Sequence, residues 1–314
     1  MASPRVSVVV PTYNRPDKLR RAVETVQEQT YQPVELVVVD DHSETPATDA
    51  LAGLDLSALD AVTTVRHEEN RGANAARNTG IRRASGAFVA FLDDDDRWEP
   101  EKLARQVAAL EAGGDRVGLV YTGARYVYPD GERVIVNDES GDLTRAILAG
   151  ETGIAEFSAV MVRASVIERA GLPDERFPSW QDLEWFLRLS LHCEFLAVPE
   201  PLTVRHWDHT GRIGEDFERR RDVSFPLLVE KHRDLAREYG LERRFMASLL
   251  ETLVMDAARD GYYREARRLA LKTIQTDPTT LTAWLYLFAC LGGGLTYRPA
   301  QRLMAVAQTA GSSD

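Results

Sequence analysis

Residues 87–98, AFVAFLDDDDRW, run from an apolar segment straight into four consecutive aspartates. Ala87–Leu92 has the length and composition of a strand buried on both faces. Adjacent carboxylates repel, at ~4 Å by about 1 kcal/mol in water and about 4 kcal/mol at an effective dielectric near 20. Four of them at the end of a buried strand call for a cation. Side chains alternate along extended chain, so Asp93 and Asp95 are expected on one face and Asp94 and Asp96 on the other. One such pair suits a hard divalent ion with oxygen ligands, Mn²⁺ or Mg²⁺. That ion could bridge a diphosphate and carry leaving-group charge. The plainer alternative is a solvated acidic loop capping the next helix, a role that suits Asp96.

Strands and helices alternate on both sides of this stretch. Arg5–Val10, Val34–Val39 and Val62–Arg66 read as strands, and Val117–Tyr121 as a fifth. Pro16–Gln29 carries apolar residues at Leu19, Ala22, Val23 and Val26, a helical spacing. Thr45–Leu56, Ala73–Ala84 and Glu99–Glu111 are the other intervening helices, the last with Pro100 in its first turn. The pattern predicts an α/β fold with a Rossmann-like, mostly parallel sheet flanked by helices. Further on come a hairpin, Tyr126–Val136, turning at Pro129-Asp130-Gly131, and a short helix, Leu143–Leu148. A strand at Ser158–Val162, a helix at Asp182–Leu191 and a last strand at Leu202–His206 follow. From about Glu215 the chain reads as helix only. Gly261-Tyr262-Tyr263 through Asp277-Pro278 looks like one helical hairpin of the tetratricopeptide kind, an appendage rather than an array.

Composition narrows the function. The 314 residues carry a net charge of −11, pI about 5.2, and 44% hydrophobic residues. No basic stripe is visible, which argues against nucleic acid as a partner. Cys193 and Cys290 form no C-x-x-C, which argues against a thiolate zinc site and fits a reducing compartment. Met1–Pro4 runs straight into a strand, so no signal peptide is expected. The expected location is cytoplasmic. Pro278–Tyr297 is uncharged, but its strongly apolar part, Trp284–Leu291, is too short to span a bilayer. It reads as a buried helix or as a peripheral contact with the inner face of the membrane.

Three more polar clusters stand at strand ends or loops. Asp40-Asp41-x-Ser43 ends the second strand, where open α/β sheets bind ligands. A carboxylate there can accept from an imide N–H or a ribose hydroxyl, or can cap the next helix. Asn70-Arg71-Gly72 and Arg77-Asn78-x-Gly80 flank a helix start. Gly72 allows close approach to a ligand, and Arg71 or Arg77 could pair with a phosphate. Trp180-Gln181-Asp182-Leu183-Glu184-Trp185 places Asp182 at a helix start between tryptophans. Such surroundings suit a general base and a stacked sugar ring, or equally an N-cap Asp flanked by core aromatics. There is no G-x-G-x-x-G or P-loop, so dinucleotide and Walker-type sites have no support.

Taken in order, VSVVVPTYNR (6–15), VVVDDHS (37–43), NRGANAARNTG (70–80), FLDDDDRWEPEKL (91–103) and WQDLEWFLRL (180–189) resemble the family 2 glycosyltransferases of GT-A fold, over about residues 5–190. The resemblance implies an inverting transferase using a nucleoside-diphosphate sugar, a UDP-sugar first, with Mn²⁺ or Mg²⁺ and a saccharide or lipid-linked acceptor. It implies a catalytic domain over 1–212, with a nucleotide-sugar half about 1–122 and an acceptor half about 123–212, followed by a helical region over 213–314. Carried onto this chain, Thr12 and Asp41 lie on the base and ribose, with Pro11, Tyr13, Asn14, Arg15, Asn70, Gly72 and Arg77 around the donor. Asp94 meets the ribose or phosphate side, and Asp93 and Asp95 supply the D-x-D, with Asp95 the direct metal ligand. Asp182 matches the catalytic base, beside Trp180 and Trp185 for the acceptor. The family often has Glu where this chain has Gln181, which leaves residue 181 without a role. His206 and His209 compete as a further metal ligand.

Two other classes compete. A sugar nucleotidyltransferase needs an early glycine-rich basic loop, and the first strand here leads into PTYNRPDK, which has no glycine. A non-catalytic scaffold using the helical tail would bind no metal–nucleotide complex.

Overall fold

The computed structural model describes residues 3–129, 131–153, 156–206 and 217–299. The chain divides into two compact units. The first comprises Met1–Thr144, Thr152–Phe177 and Gln181–Thr210, and the second Arg145–Glu151, Pro178–Trp180 and Gly211–Asp314.

The first unit is built on one sheet. Its parallel half holds β1 (Val6–Thr12), β2 (Val34–Asp40), β3 (Ala61–Arg66) and β4 (Phe88–Phe91) in the order β3-β2-β1-β4. β1, β2 and β4 are buried at every residue, as their β-branched and aromatic runs require. The helices α1 (Pro16–Gln27), α2 (Ala47–Ala50) and α3 (Ala73–Arg83) link these strands. α1 buries Leu19, Ala22, Val23 and Val26. α3 runs close to β1, and a Cβ at Gly80 would overlap the side chain of Val9.

The other half departs from the parallel expectation. After β4 come β5 (Asp96–Trp98), α4 (Lys102–Ala112), β6 (Val117–Tyr128), β7 (Gly131–Ile135), α5 (Thr144–Ala149), β8 (Val160–Arg163), α6 (Ala164–Ala170), α7 (Gln181–Ser190) and β9 (Glu194–His206). β8 is antiparallel to both β4 and β6, β6 is parallel to β9, and β5 is antiparallel to β9. The sheet is therefore mixed. A parallel neighbour needs a crossover of a dozen or more residues. β5 starts five residues after β4 ends and pairs at the far edge instead. β6 and β9 also run longer than expected. Pro199 and Pro201 interrupt the strand signal of β9, and register shifts around Gly123 absorb them.

The second unit is helical, with all of α5 after Thr144 together with α8 (Phe217–Arg219), α9 (Phe225–Glu238), α10 (Glu242–Arg259), α11 (Tyr263–Thr276) and α12 (Leu281–Ala289). Phe217, Leu250, Leu253, Val254, Ala266, Ala270 and Cys290 share its core. α12 is not the buried helix that its composition allowed. Among its residues only Ala283 and Ala289 are buried, while Leu281 is 80% exposed and Phe288 61%. Among the described residues no helix is long and apolar enough to cross a membrane.

Candidate active site

The four aspartates do not alternate as on a strand. Asp94 and Asp95 form a tight turn closed by the Asp96 N–H donating to the Asp93 carbonyl at 3.0 Å. The turn rotates Asp94 and Asp95 toward one cation, because Arg15 Nη1 donates to Asp94 Oδ1 at 3.2 Å and to Asp95 Oδ2 at 3.1 Å. Arg77 Nη2 donates to Asp93 Oδ1 at 2.6 Å. Arg205 Nε donates to Asp96 Oδ1 at 3.3 Å and also pairs with Glu156. The repulsion expected from the sequence is thus answered by three arginines. Burial pushes the Asp94 carboxyl up to about 6 against the lowering pull of Thr12 and Arg15. Burial does the same for Asp96, to about 6, against Arg205.

The end of β1 meets this turn. Thr12 Oγ1 donates to Asp94 Oδ2 at 2.7 Å, and Pro11 is buried beside it. Tyr13 stands 47% exposed. Asn14, at a left-handed φ of 54°, receives the Glu44 N–H on Oδ1 at 2.7 Å and donates its own N–H to Ser43 Oγ at 2.9 Å. This ties the loop after β1 to the loop after β2.

The Asp40-Asp41 doublet divides its work. Asp40 takes the capping role: it accepts the Ser43 N–H at 2.7 Å and the Ala47 N–H at 3.1 Å, at the start of α2. Asp41 accepts the Arg71 N–H at 2.9 Å and the Gly72 N–H at 2.7 Å, and His67 Nδ1 lies 2.7 Å from its Oδ1. Asp41 is 3% exposed, so the 70–72 loop is anchored on it. Gly72 has φ 90°, ψ 162°, a glycine conformation, and a Cβ there would meet nothing. Asn70 is exposed beside it.

α3 turns polar side chains inward. Asn74 Nδ2 donates to the Asp174 carbonyl at 2.8 Å and Asn78 Nδ2 to the Pro173 carbonyl at 2.9 Å. Arg77 is 5% exposed, stands 3.9 Å over the Phe157 ring and also donates from Nη1 to Gln181 Oε1 at 2.8 Å. Buried and engaged on Asp93 and Gln181, Arg77 is a brace rather than an open phosphate clamp. Residue 181, left without a role by the sequence, is the other end of that brace.

Asp182 sits half-buried in the first turn of α7, with Oδ1 accepting the Leu183 N–H at 2.8 Å. Glu184 is fully buried in a bidentate pair with Arg188, at 2.7 and 2.9 Å. Trp185 corrects the expectation of an acceptor platform. It is fully buried against Phe91, Phe157 and Phe186, with its indole N–H on the Gly171 carbonyl at 2.9 Å. No face is left for a sugar. The Trp180 ring packs in the helical unit, with the Arg220 guanidinium 5.4 Å over it.

His206, the last residue of β9, borders a cleft of about 160 Å³ together with Asp94, Asp95, Asp96, Lys18, Arg21 and Arg97. His209 lies outside the described residues. Among the described residues no three His, Cys, Asp or Glu side chains converge as a complete metal cage. Carboxylates and an imidazole on one cleft are nonetheless the donor types Mn²⁺ accepts, and Mg²⁺ commonly takes only one or two carboxylates plus substrate phosphates. The residues present fit a divalent ion completed by its ligand. His67, Arg205 and Ser158 went unread in the sequence. Ser158 Oγ receives the Asp93 N–H at 3.0 Å, and none of the three sits in a motif.

Residues 7–132 match the model for "Glycosyl transferase family 2". The glycosyltransferase AglE of Haloferax volcanii is 31% identical over 188 residues, covering 59% of this chain and 61% of that one. The chain spans 27%, 61% and 31% of the length of three curated relatives that it matches. The structure of S. aureus TarS 1–349 in complex with UDP-GlcNAc superposes with a TM-score of 0.59 at 17% identity, covering 91% of each chain. The mannosyltransferase PcManGT from Pyrobaculum calidifontis, in complex with GDP-Man and Mn²⁺, superposes at 0.55 with 23% identity, covering 99% of this chain and 81% of that one. The family match over residues 7–132 and the shared sheet make that segment similar to glycosyltransferase family 2, on the fold of those transferase structures.

Proposed function

We propose that the chain is an inverting glycosyltransferase that moves a sugar from a nucleoside-diphosphate sugar, a UDP-sugar first, to a hydroxyl of a saccharide or lipid-linked acceptor. The observation that carries this reading is the acidic turn at the carboxyl end of β4, closed on Thr12 of β1 and bordering a cleft with His206. Ligands of open α/β sheets bind at that edge. Thr12, Asp41 and the loops around them are the proposed seat of the base and ribose, with Asp94 toward the ribose or phosphates. Asp95, with Asp93 and His206, is the proposed holder of Mn²⁺ or Mg²⁺. When bound, the ion supplies positive charge to the leaving diphosphate. Asp182 is the proposed general base, taking the proton of the acceptor hydroxyl as that oxygen attacks the anomeric carbon in a single displacement.

The similar structures hold UDP-GlcNAc and GDP-Man, which makes these the first donors to try. The test is a donor panel: purified protein, Mn²⁺ or Mg²⁺, and a set of nucleotide sugars, with release of nucleoside diphosphate as the reading. Release from at least one donor, dependent on metal, is the expected result. No release from any donor, with or without saccharide acceptors, counts against the reading.

The exposed face of α12 supports peripheral membrane contact as the location of this chemistry. Leu281, Leu285 and Phe288 are exposed along it, Leu291 is exposed just after its end, and Trp284 stacks on Phe288. An apolar face of this kind can lie in the interface of a bilayer.

A further inference from the structure

Behind the acidic turn lies a buried network that the proposed chemistry does not use. Lys102, the first residue of α4, is fully buried, and burial holds its amine well below the ordinary lysine range. Its Nζ stands 4.1 Å over the Trp98 ring and donates to Gln106 Oε1 at 2.7 Å. That bond decides which way the Gln106 amide faces. With Oε1 taken by the amine, Nε2 donates to the Ala159 carbonyl at 2.9 Å and to the Val120 carbonyl at 3.1 Å. Trp98 Nε1 donates to the Ser158 carbonyl at 2.7 Å. Trp98 and Gln106, joined through Lys102, thus grip two consecutive carbonyls of the short turn Phe157–Ala159.

What that turn holds in return is Asp93. Ser158 is 1% exposed, and its Oγ accepts the Asp93 N–H at 3.0 Å. The neighbouring Phe157 ring carries the Arg77 guanidinium at 3.9 Å, and Arg77 Nη2 donates to Asp93 Oδ1 at 2.6 Å. Two adjacent residues therefore fix the backbone of Asp93 and, through Arg77, its carboxylate. The Asp96 N–H closes the acidic turn on the Asp93 carbonyl, so a shift at Asp93 passes to Asp94 and Asp95.

We propose that Ser158 is a positioning residue for the carboxylates that border the cleft, held in place by the Trp98, Lys102 and Gln106 grip; this rests on the reading of those carboxylates as the seat of a divalent ion. Loss of a group that orients metal ligands costs about 10–100-fold in metal affinity or activity.

The experiment compares Ser158→Ala with Ser7→Ala in the full chain. Ser7, near the amino end of β1, is fully buried and accepts the Gly86 N–H at 2.8 Å. Its loss matches the removal of one buried hydroxyl without touching the acidic turn. Two quantities are read: amide exchange at Asp93 by NMR, and calorimetry of uridine diphosphate with and without Mn²⁺. In Ser158→Ala the Asp93 amide exchanges faster, and Mn²⁺-dependent affinity falls about tenfold while affinity without metal holds. Ser158→Thr, which keeps the hydroxyl, restores most of both, and Ser7→Ala leaves both at the wild-type level. Should Ser158→Ala fail to fold, Lys102→Met removes the donor that orients Gln106 and reads the same loss through the grip. Mn²⁺-dependent affinity in Ser158→Ala that equals the wild type, or falls no further than in Ser7→Ala, would overturn the proposal. A wild type without any Mn²⁺-dependent affinity overturns the reading of the metal site instead, and exchange at Asp93 still shows whether Ser158 holds the turn.

Discussion

Arg77 Nη1 donates to Gln181 Oε1 at 2.8 Å while its Nη2 holds Asp93 at 2.6 Å. One buried guanidinium thus braces the acidic turn against the residue that precedes Asp182. The neutral amide suffices for the brace, because guanidinium needs only an acceptor oxygen there. Gln181→Ala is expected to lower kcat about tenfold while donor affinity holds, and Gln181→Glu to restore most of it. Steady-state kinetics beside donor calorimetry checks this. An equal loss of donor affinity would make Gln181 part of the donor site instead.

Asp95→Asn is expected to remove metal-dependent binding of nucleoside diphosphate. Asp95 borders the cleft and shares Arg15 with Asp94, so the substitution keeps the shape and deletes one charge. Calorimetry of the nucleotide with and without Mn²⁺ is the reading. Metal-dependent affinity equal to the wild type would remove Asp95 from the proposed metal site.

The buried Asp94 makes a prediction about pH. Its carboxyl is raised from 3.8 to about 6, so the folded chain keeps a proton that the unfolded chain has released. Its contribution to stability is full below about pH 4 and is lost as pH rises through 6. That loss is on the order of 3 kcal/mol. In metal-free buffer, Asp94→Asn is expected to flatten the fall in urea midpoint between pH 4 and 7 relative to wild type. Parallel profiles for the two proteins would contradict it.

The α12 face predicts flotation with lipid vesicles at low salt, reduced by Leu285→Ser with Phe288→Ser. Both side chains are exposed, at 48% and 61%, so the variant should melt like the wild type. Wild-type protein that stays in the soluble fraction ends the membrane reading. The net charge of −11 opposes anionic lipid, so vesicles of neutral and anionic lipid belong in the same series.

Much of the candidate site was legible because local chemistry carries it. Apolar β-branched runs mark β1, β2 and β4, and each ends in the polar residues that form the site. Apolar spacing marked α1 down to its four buried residues. What stayed hidden depends on long-range pairing. Arg205 meets Asp96 across 109 positions, and no local pattern announces that contact. The alternation expected at Asp93–Asp96 failed because the backbone turns there instead of extending. Trp185 read as a sugar platform because helical spacing alone cannot tell a core aromatic from an exposed one. Its neighbours Phe91 and Phe157 come from other elements and settle the matter.

The central proposal is chemical: that Asp182 takes the proton of the acceptor as the sugar transfers. A positioned carboxylate contributes about 10²–10⁴-fold to such a step. The nearest rival, Glu184, is fully buried on Arg188 and cannot reach an acceptor. The deciding measurement is kcat of Asp182→Asn with the best donor of the panel, beside donor affinity by calorimetry. The account predicts a fall of about 10² or more in kcat with affinity nearly unchanged, the pattern of lost transition-state stabilisation. A variant that turns over at close to the wild-type rate, with affinity intact, would contradict it.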